Sequence, residues 1–197
     1  MLILATLSAL IFAGLGAILL RLHSLELPQA RPPKNPAPRP GIWFCAHRAK
    51  RWISLQHMFI RVTPRDPSWA ERYPLVFVHQ DSMGTPFCTL GAGPFQGRLK
   101  LEFNRHFDIN DPISFEEPVP FESLEQENGR IATLLASAAR YKQDLPFRTL
   151  PGLHGYNCNS MIAALAHRAG LPLPRFSETF LLCVGTGDPV PDRHFNG

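Results

Sequence analysis

Residues 155–170 read GYNCNSMIAALAHRAG, a turn-like lead into an apolar run that closes on glycine. Met161, Ile162, Leu165 and Ala169 recur at helical spacing and form one apolar stripe, and Gly170 supplies a stop. The helix this predicts begins at or next to Cys158. A thiol there is chemically distinctive, because the first amides of a helix have no acceptor within it and, with the helix dipole, favour a thiolate. The amide of Cys158 would also face an oxyanion formed when the sulfur attacks a carbonyl, so nucleophile and part of an oxyanion hole arrive together. The pattern fits a cysteine packed into the core equally well.

Upstream, a proline- and glycine-rich loop (DLPFRTLPGLHGYN, 144–157) leads into this helix. Before it, the segment from Glu122 to Tyr141 places Leu124, Ile131, Leu134, Leu135, Ala138 and Tyr141 at helical spacing. Glu122, Glu125 and Glu127 lie near its start, where they suit the dipole. Earlier still come three β-like runs: ISLQHMFIRV (53–62), PLVFVHQ (74–80) and GRLKLEF (97–103). TLGAGPFQG (89–97), between the second and third, reads as a tight turn. The tail after Leu171 reads as loops with one short strand. The pattern predicts an α+β fold, an antiparallel sheet packed against helices.

The first residues set a different context. MLILATLSALIFAGLGAILL (1–20) is uncharged and close to the ~20 residues that cross a bilayer as a helix. A cleaved signal peptide is the alternative, but no basic region precedes the run and no good small-x-small site follows. PQARPPKNPAPRP (28–40) reads as a semi-rigid spacer. The expected organisation is a membrane or signal-anchor helix (1–22), a proline-rich tether (23–41) and one domain (42–197). Such a chain is a single-pass cell-membrane protein that meets lipid through its first helix. Positive charge after the run favours a cytoplasmic domain, a tendency too weak to assign the side for one N-terminal helix.

The net charge is +4, and Arg21, Arg31, Lys34, Arg39, Arg48, Lys50 and Arg51 crowd behind the apolar run, a pattern that suits anionic lipid and not nucleic acid. With 45% hydrophobic residues, a core forms without staples. Cys45, Cys88, Cys158 and Cys183 make no CxxC pair and no metal-ligand spacing with histidine, so no metal and no cofactor are expected.

Thiol catalysis needs an imidazole within reach and a polar group to orient it. His57 interrupts an apolar strand, where an unpaired ring would be costly to bury, and His79 ends the next run. His23, His47, His106, His154, His167 and His194 fall in loops, polar faces or the tether and read as structural or solvated. His154 is the nearest rival through its closeness to Cys158.

A histidine-bearing strand, a polar residue on the next strand and a Tyr-Asn-Cys-Asn-Ser helix start together resemble the circularly permuted papain-like superfamily. That group includes permuted relatives of NlpC-type peptidoglycan peptidases, PPPDE deubiquitinase-like peptidases and lecithin:retinol acyltransferase-like enzymes. Residues 56–62 (QHMFIRV) and 151–161 (PGLHGYNCNSM) are also similar to bacterial membrane-anchored domains of unknown function that carry a His-x-Trp-Ile strand and an Asn-Ser-Asn-Thr-Phe helix start. The resemblance spans residues 52–171. It implies Cys158 as nucleophile, His57 as general base and His79 as orienting residue, with Tyr156, Asn157 and Asn159 on the substrate and oxyanion side. The implied activity is a membrane-tethered cysteine hydrolase or acyltransferase acting on an amide or ester of a peptide, peptidoglycan or lipid. Met161 stands where PPPDE-like proteins carry Phe, and the related domains often carry Ser at the cysteine position. A catalytically inactive papain-like binding module is therefore the alternative.

Overall fold

Alternation along the first two strands decides which side chains are buried under helices and which are left for chemistry. β1 (Gly41–Lys50) and β2 (Ile53–Thr63) are antiparallel, with Ile42 opposite Val62 and His47 opposite His57. Successive residues turn to opposite faces. Ile42, Phe44 and Ala46 thus join Met58, Ile60 and Val62 in the main core, while Trp43, Cys45 and Phe59 form a small cluster on the reverse. By the same alternation His47 and His57 continue the reverse row.

The computed structural model describes residues 39–196 apart from 51–52, 150–154 and 179–182. The apolar run 1–20, the spacer up to residue 38, and the histidines His23 and His154 lie outside the described residues. Among the described residues no helix is long and apolar enough to cross a membrane.

Four further strands complete an antiparallel sheet: β3 (His79–Gln80), β4 (Pro86–Phe95), β5 (Arg98–Phe103) and β6 (Ile113–Pro118). The order is β3-β4-β2-β1-β6, with β5 on the outer side of β4. Among the described residues four helices accompany it: α1 (Ser68–Arg72), α2 (His106–Asn110), α3 (Leu124–Arg140) and α4 (Cys158–Arg168). α4 lies against β2 and β4 and packs on its other side against α3. Met161, Ile162 and Leu165 of α4 meet Ile131 and Leu134 of α3 and Leu90 of β4 in one fully buried core. Ser123 caps α3 by accepting from the amide of Gln126, whose side chain reaches back to the amide of Glu122.

The α+β class, both long helices, β2 and β5 follow the sequence. The run 74–80 does not: Tyr73 ends α1, its carbonyl accepts from Val76 and Phe77, and only His79 and Gln80 pair as strand. Residues 89–97 are not one turn either, since 89–95 belong to β4. The chain reverses only at Gln96 and Gly97, both at positive φ, the two-residue geometry of a hairpin. β1, β6, α1 and α2 were not anticipated, and the tail carries two 3-10 turns, Arg175–Glu178 and Asp192–Phe195, with no strand among the described residues.

Candidate active site

The sheet opens at one place. β2 and β4 pair from Val62 opposite Cys88 to Phe59 opposite Gly91, and there the ladder stops. Beyond it, β4 pairs with β5 only and β2 with β1 only. Strand edges left without partners leave backbone groups that burial makes costly, so something must satisfy them. On β2 the partner is a side chain of α4. Asn159 Oδ1 accepts from the amide of Met58 at 2.9 Å, and Asn159 Nδ2 donates to the carbonyl of Gln56 at 3.1 Å, one bond on each side of His57. On β4 it is Arg105, whose Nη1 donates to the carbonyl of Ala92.

The start of α4 therefore sits in the split. Asn157 is its N-cap, its Oδ1 accepting from the amide of Ser160 at 3.0 Å. Its Nδ2 donates to the carbonyls of Val184 at 2.8 Å and Thr149 at 3.2 Å. Cys158, the first helical residue, is partly exposed and lies 3.6 Å from Asn159 Oδ1. Cys158 and His57 line one cavity of about 400 Å³, walled by Leu55, Ala92, Pro94, Phe107, Phe147 and Val184.

On the reverse face, α2 carries Asp108 across β4. His57 Nε2 is 3.0 Å from Asp108 Oδ1, and both residues are buried, at 7% and 3% exposure. Burial alone would pull the His57 imidazole down. The charge of Cys158, hydrogen bonds with Asp108 and Cys158, and the charge of Asp108 together push it up to about 9. With Nε2 given to Asp108, Nδ1 is the nitrogen left for the thiol. Burial would raise Asp108, but hydrogen bonds from His47 and His57 and the charges of His57 and Arg105 hold it down at about 2. Arg105 Nη1 also lies 3.3 Å from His57 Nε2, so the proton of that nitrogen belongs to the nearer carboxylate.

Asp108 can sit there because β4 has no side chain at Gly91. A Cβ on Gly91 would fall 1.7 Å from Asp108 Oδ2, and one on Gly93 would fall 2.3 Å from Arg105 Nη2. The glycines of TLGAGPF are strand positions that admit two charged groups against the backbone.

Of the residues expected at the site, Cys158 and His57 are brought together. His79 is not among the cavity's residues. It pairs with Phe87, and the five residue steps from Phe87 to Ala92 of β4 separate it from the cavity by roughly 17 Å of strand. The orienting group beside His57 is Asp108, which sequence reading missed. The side-chain N–H groups of Asn157 and Asn159 are spent on carbonyls, so neither is left for an oxyanion. Asn159 fixes α4 to β2, and Asn157 fixes the helix start to the carbonyls of Thr149 and Val184. Tyr156 packs its ring against the main core and pairs its backbone with Pro146 and Arg148. His47, grouped with the histidines expected in loops, polar faces or the tether, lies buried on β1 with its Nε2 3.3 Å from Asp108 Oδ1. Although no metal was expected, His47, His57 and Asp108 offer three donor atoms within 4.8 Å of one another. Spacing along the chain could not reveal a set drawn from two strands and a short helix. The glycines of a strand-like run were the one local hint that something approaches closely.

Compared with family models, curated proteins and solved structures, the chain finds no match in any of the three. Fold and site define it by class: an α+β protein whose antiparallel sheet splits around a cysteine–histidine–aspartate cluster.

Proposed function

We propose that this chain is a cysteine hydrolase or acyltransferase that works on an amide or ester. One observation carries the reading: a helix-start thiol and an imidazole line the same cavity, and a buried carboxylate holds Nε2 of that imidazole at 3.0 Å. The three parts match the needs of thiol catalysis, a nucleophile, a base in reach of it and a group that fixes the base. The Cys158 sulfur adds to the carbonyl carbon. As the tetrahedral intermediate collapses, the C–N or C–O bond breaks and His57 gives its Nδ1 proton to the leaving group. Water, or the hydroxyl or amine of an acceptor, then passes a proton to His57, attacks the thioester and releases the thiolate. The amide of Cys158, one of those a helix leaves without an internal acceptor, is the donor nearest the oxyanion. Largely apolar cavity walls favour an acyl group with a hydrocarbon part. The apolar run 1–20 would hold the domain at a membrane, near peptide, peptidoglycan or lipid substrates.

The other thiols make the test clean. Cys45, Cys88 and Cys183 are buried, and burial pushes Cys45 and Cys183 up to about 12 and raises Cys88 as well, so they resist alkylation. Iodoacetamide at pH 7 should label the native chain once, at Cys158, and Cys158→Ala should take no label. His57→Gln should slow labelling about 10²-fold and abolish the acyl burst with p-nitrophenyl acetate. Labelling and burst unchanged in His57→Gln would remove the proposal.

A further inference from the structure

Two exposed aromatic side chains stand at the mouth of the Cys158 cavity, and the thiol chemistry uses neither. Phe107, on α2, lines the cavity at 56% exposure, and Phe95, 53% exposed, follows Pro94 of the cavity wall. The sheet explains why they meet on one side. Gly91, beneath Asp108, and Gly93, beneath Arg105, belong to the reverse row of β4, and Phe95 is the next member of that row. Its partner across the β4–β5 hairpin is Arg98, and the partner of Gly93 is Lys100, so both cations share the face. Lys100 Nζ lies 4.6 Å from the centre of the Phe95 ring. Arg148, beside Thr149 of the cavity lining, adds a further exposed cation. The carboxylates nearby are already taken: Glu102 by Lys100 and Arg105, Asp144 by His194, and Asp111 lies beside His47. Among the described residues neither Arg98 nor Arg148 has a carboxylate partner.

Exposed aromatic rings set among unpaired cations suit a headgroup layer, where rings sink toward the acyl chains and cations meet lipid phosphates. The sequence puts a bilayer within reach. Eighteen residues, 21–38, separate the apolar run from Arg39, and drawn out they would span roughly 55 Å. A spacer of that length brings the domain to a bilayer without choosing the face it presents, so the choice falls to the chemistry of the faces. The other exposed apolar group, Leu75, Val78 and Met83, flanks β3 at the far end of β4, roughly 27 Å of strand from Phe95. It holds the carboxylate of Asp81, which accepts from the amide of Met83 and would repel lipid phosphate. We propose that the cavity mouth is a docking face for an anionic bilayer, with Phe95 and Phe107 entering the headgroup layer and Arg98, Lys100 and Arg148 pairing with lipid phosphates. The cavity then opens onto the membrane. The consequence for catalysis rests on the thiol reading above: the acyl donor reaches Cys158 from the lipid side and not from water.

The full chain in lipid nanodiscs tests this in the Cys158→Ala background, where the native thiols that remain are buried and a new exposed one takes the label. Phe95→Cys labelled with the fluorophore NBD should brighten about threefold when phosphatidylserine is added to phosphatidylcholine discs, and lipids spin-labelled on the acyl chain should quench it. Raising salt to about 1 M, where screening shortens to about 3 Å, should remove at least half of the rise. Arg98→Gln with Lys100→Gln should do the same at low salt. Phe107→Cys carries the label instead if Phe95→Cys does not fold by thermal melting. The same label at Leu75→Cys should respond to neither lipid. A response at Leu75 as strong as that at Phe95 overturns the face, and so does silence at both Phe95 and Phe107. A rise that follows protein concentration in detergent and ignores lipid charge would assign the face to a second copy of the chain and overturn the bilayer. Because every readout is taken without the thiol, loss of the acyl burst in the parent sinks the thiol reading and the route to Cys158 but keeps the docking face. A silent label beside an intact burst does the reverse.

Discussion

Replacing Gly91 by Ala should disable the site without replacing any of its side chains. The new Cβ would lie 1.7 Å from Asp108 Oδ2 and 2.8 Å from its Cγ, whereas ordinary contact begins at 3.4 Å. The carboxylate must retreat by the difference, 3.4 − 1.7 = 1.7 Å, in a place where it is 3% exposed and has backbone on one side. A shift of that size breaks the 3.0 Å bond to His57 and the 3.3 Å bond to His47. Breaking a buried, hydrogen-bonded ion pair costs about 3–5 kcal/mol, and misplacing a positioning group by an ångström costs roughly 10²-fold in rate. Urea unfolding should report the first figure, and the second-order rate of Cys158 labelling at pH 7 the second. Gly93→Ala is the graded comparison: its Cβ meets the far end of Arg105, a flexible side chain, so both losses should be smaller. If Gly91→Ala unfolds and labels as the parent does, Asp108 does not orient His57 and the site has been misassigned.

Other perturbations read other parts of the same structure. Asn159→Ala strips the acceptor from Met58 N–H and the donor from the Gln56 carbonyl, both buried; it should cost about 2–4 kcal/mol in urea unfolding and slow labelling of Cys158. Gly129→Ala lies on the exposed face of α3 with nothing within 4 Å of the new Cβ, so it should stabilise by about 0.5–1 kcal/mol and leave labelling unchanged. Stability should also depend on pH through His57. Its folded value is raised from 6.5 to about 9, so its contribution is complete below pH 6.5 and disappears as pH climbs through 9. That loss is on the order of 3 kcal/mol. Cys158→Ala removes the leading cause of the rise, and urea midpoints between pH 6 and 9.5 should fall less steeply in it than in the parent. Asp108, held at about 2, works the opposite way: its contribution is present above pH 3.8 and lost as pH falls through 2.

The long helices were legible because a 3.6-residue period in apolar side chains survives whatever packs against it, as Ile131, Leu134 and Leu135 of α3 illustrate. Cys158 and His57 were legible for a related reason, each being a reactive group at a position local chemistry marks as unusual. Asp108 was not. It enters the site through a five-residue helix with no period to read, and its meaning depends on the absence of a side chain at Gly91. His47 was lost with β1, whose alternation is blurred because both faces are buried: Trp43 and Cys45 are as apolar as Phe44 and Ala46. The glycines of TLGAGPF were assigned to a turn because glycine marks turns and close approaches alike, and only the partner tells them apart.

The opening between β2 and β4 ties folding to chemistry at one point. A sheet whose ladder ends early must satisfy its exposed groups, and here the groups that do so are Asn159 and Arg105, neighbours in sequence of Cys158 and near neighbours of Asp108. The bonds that repair the sheet therefore carry the thiol to one side of His57 and the carboxylate to the other. A closed ladder would place Met58 opposite Ala92 and leave the helix start no entry to the reverse face. Lengthening the β2–β4 ladder should for that reason raise stability and abolish labelling of Cys158 together. The opposite coupling, a variant that closes the ladder yet keeps a reactive thiol, would mean that the split and the site are unrelated.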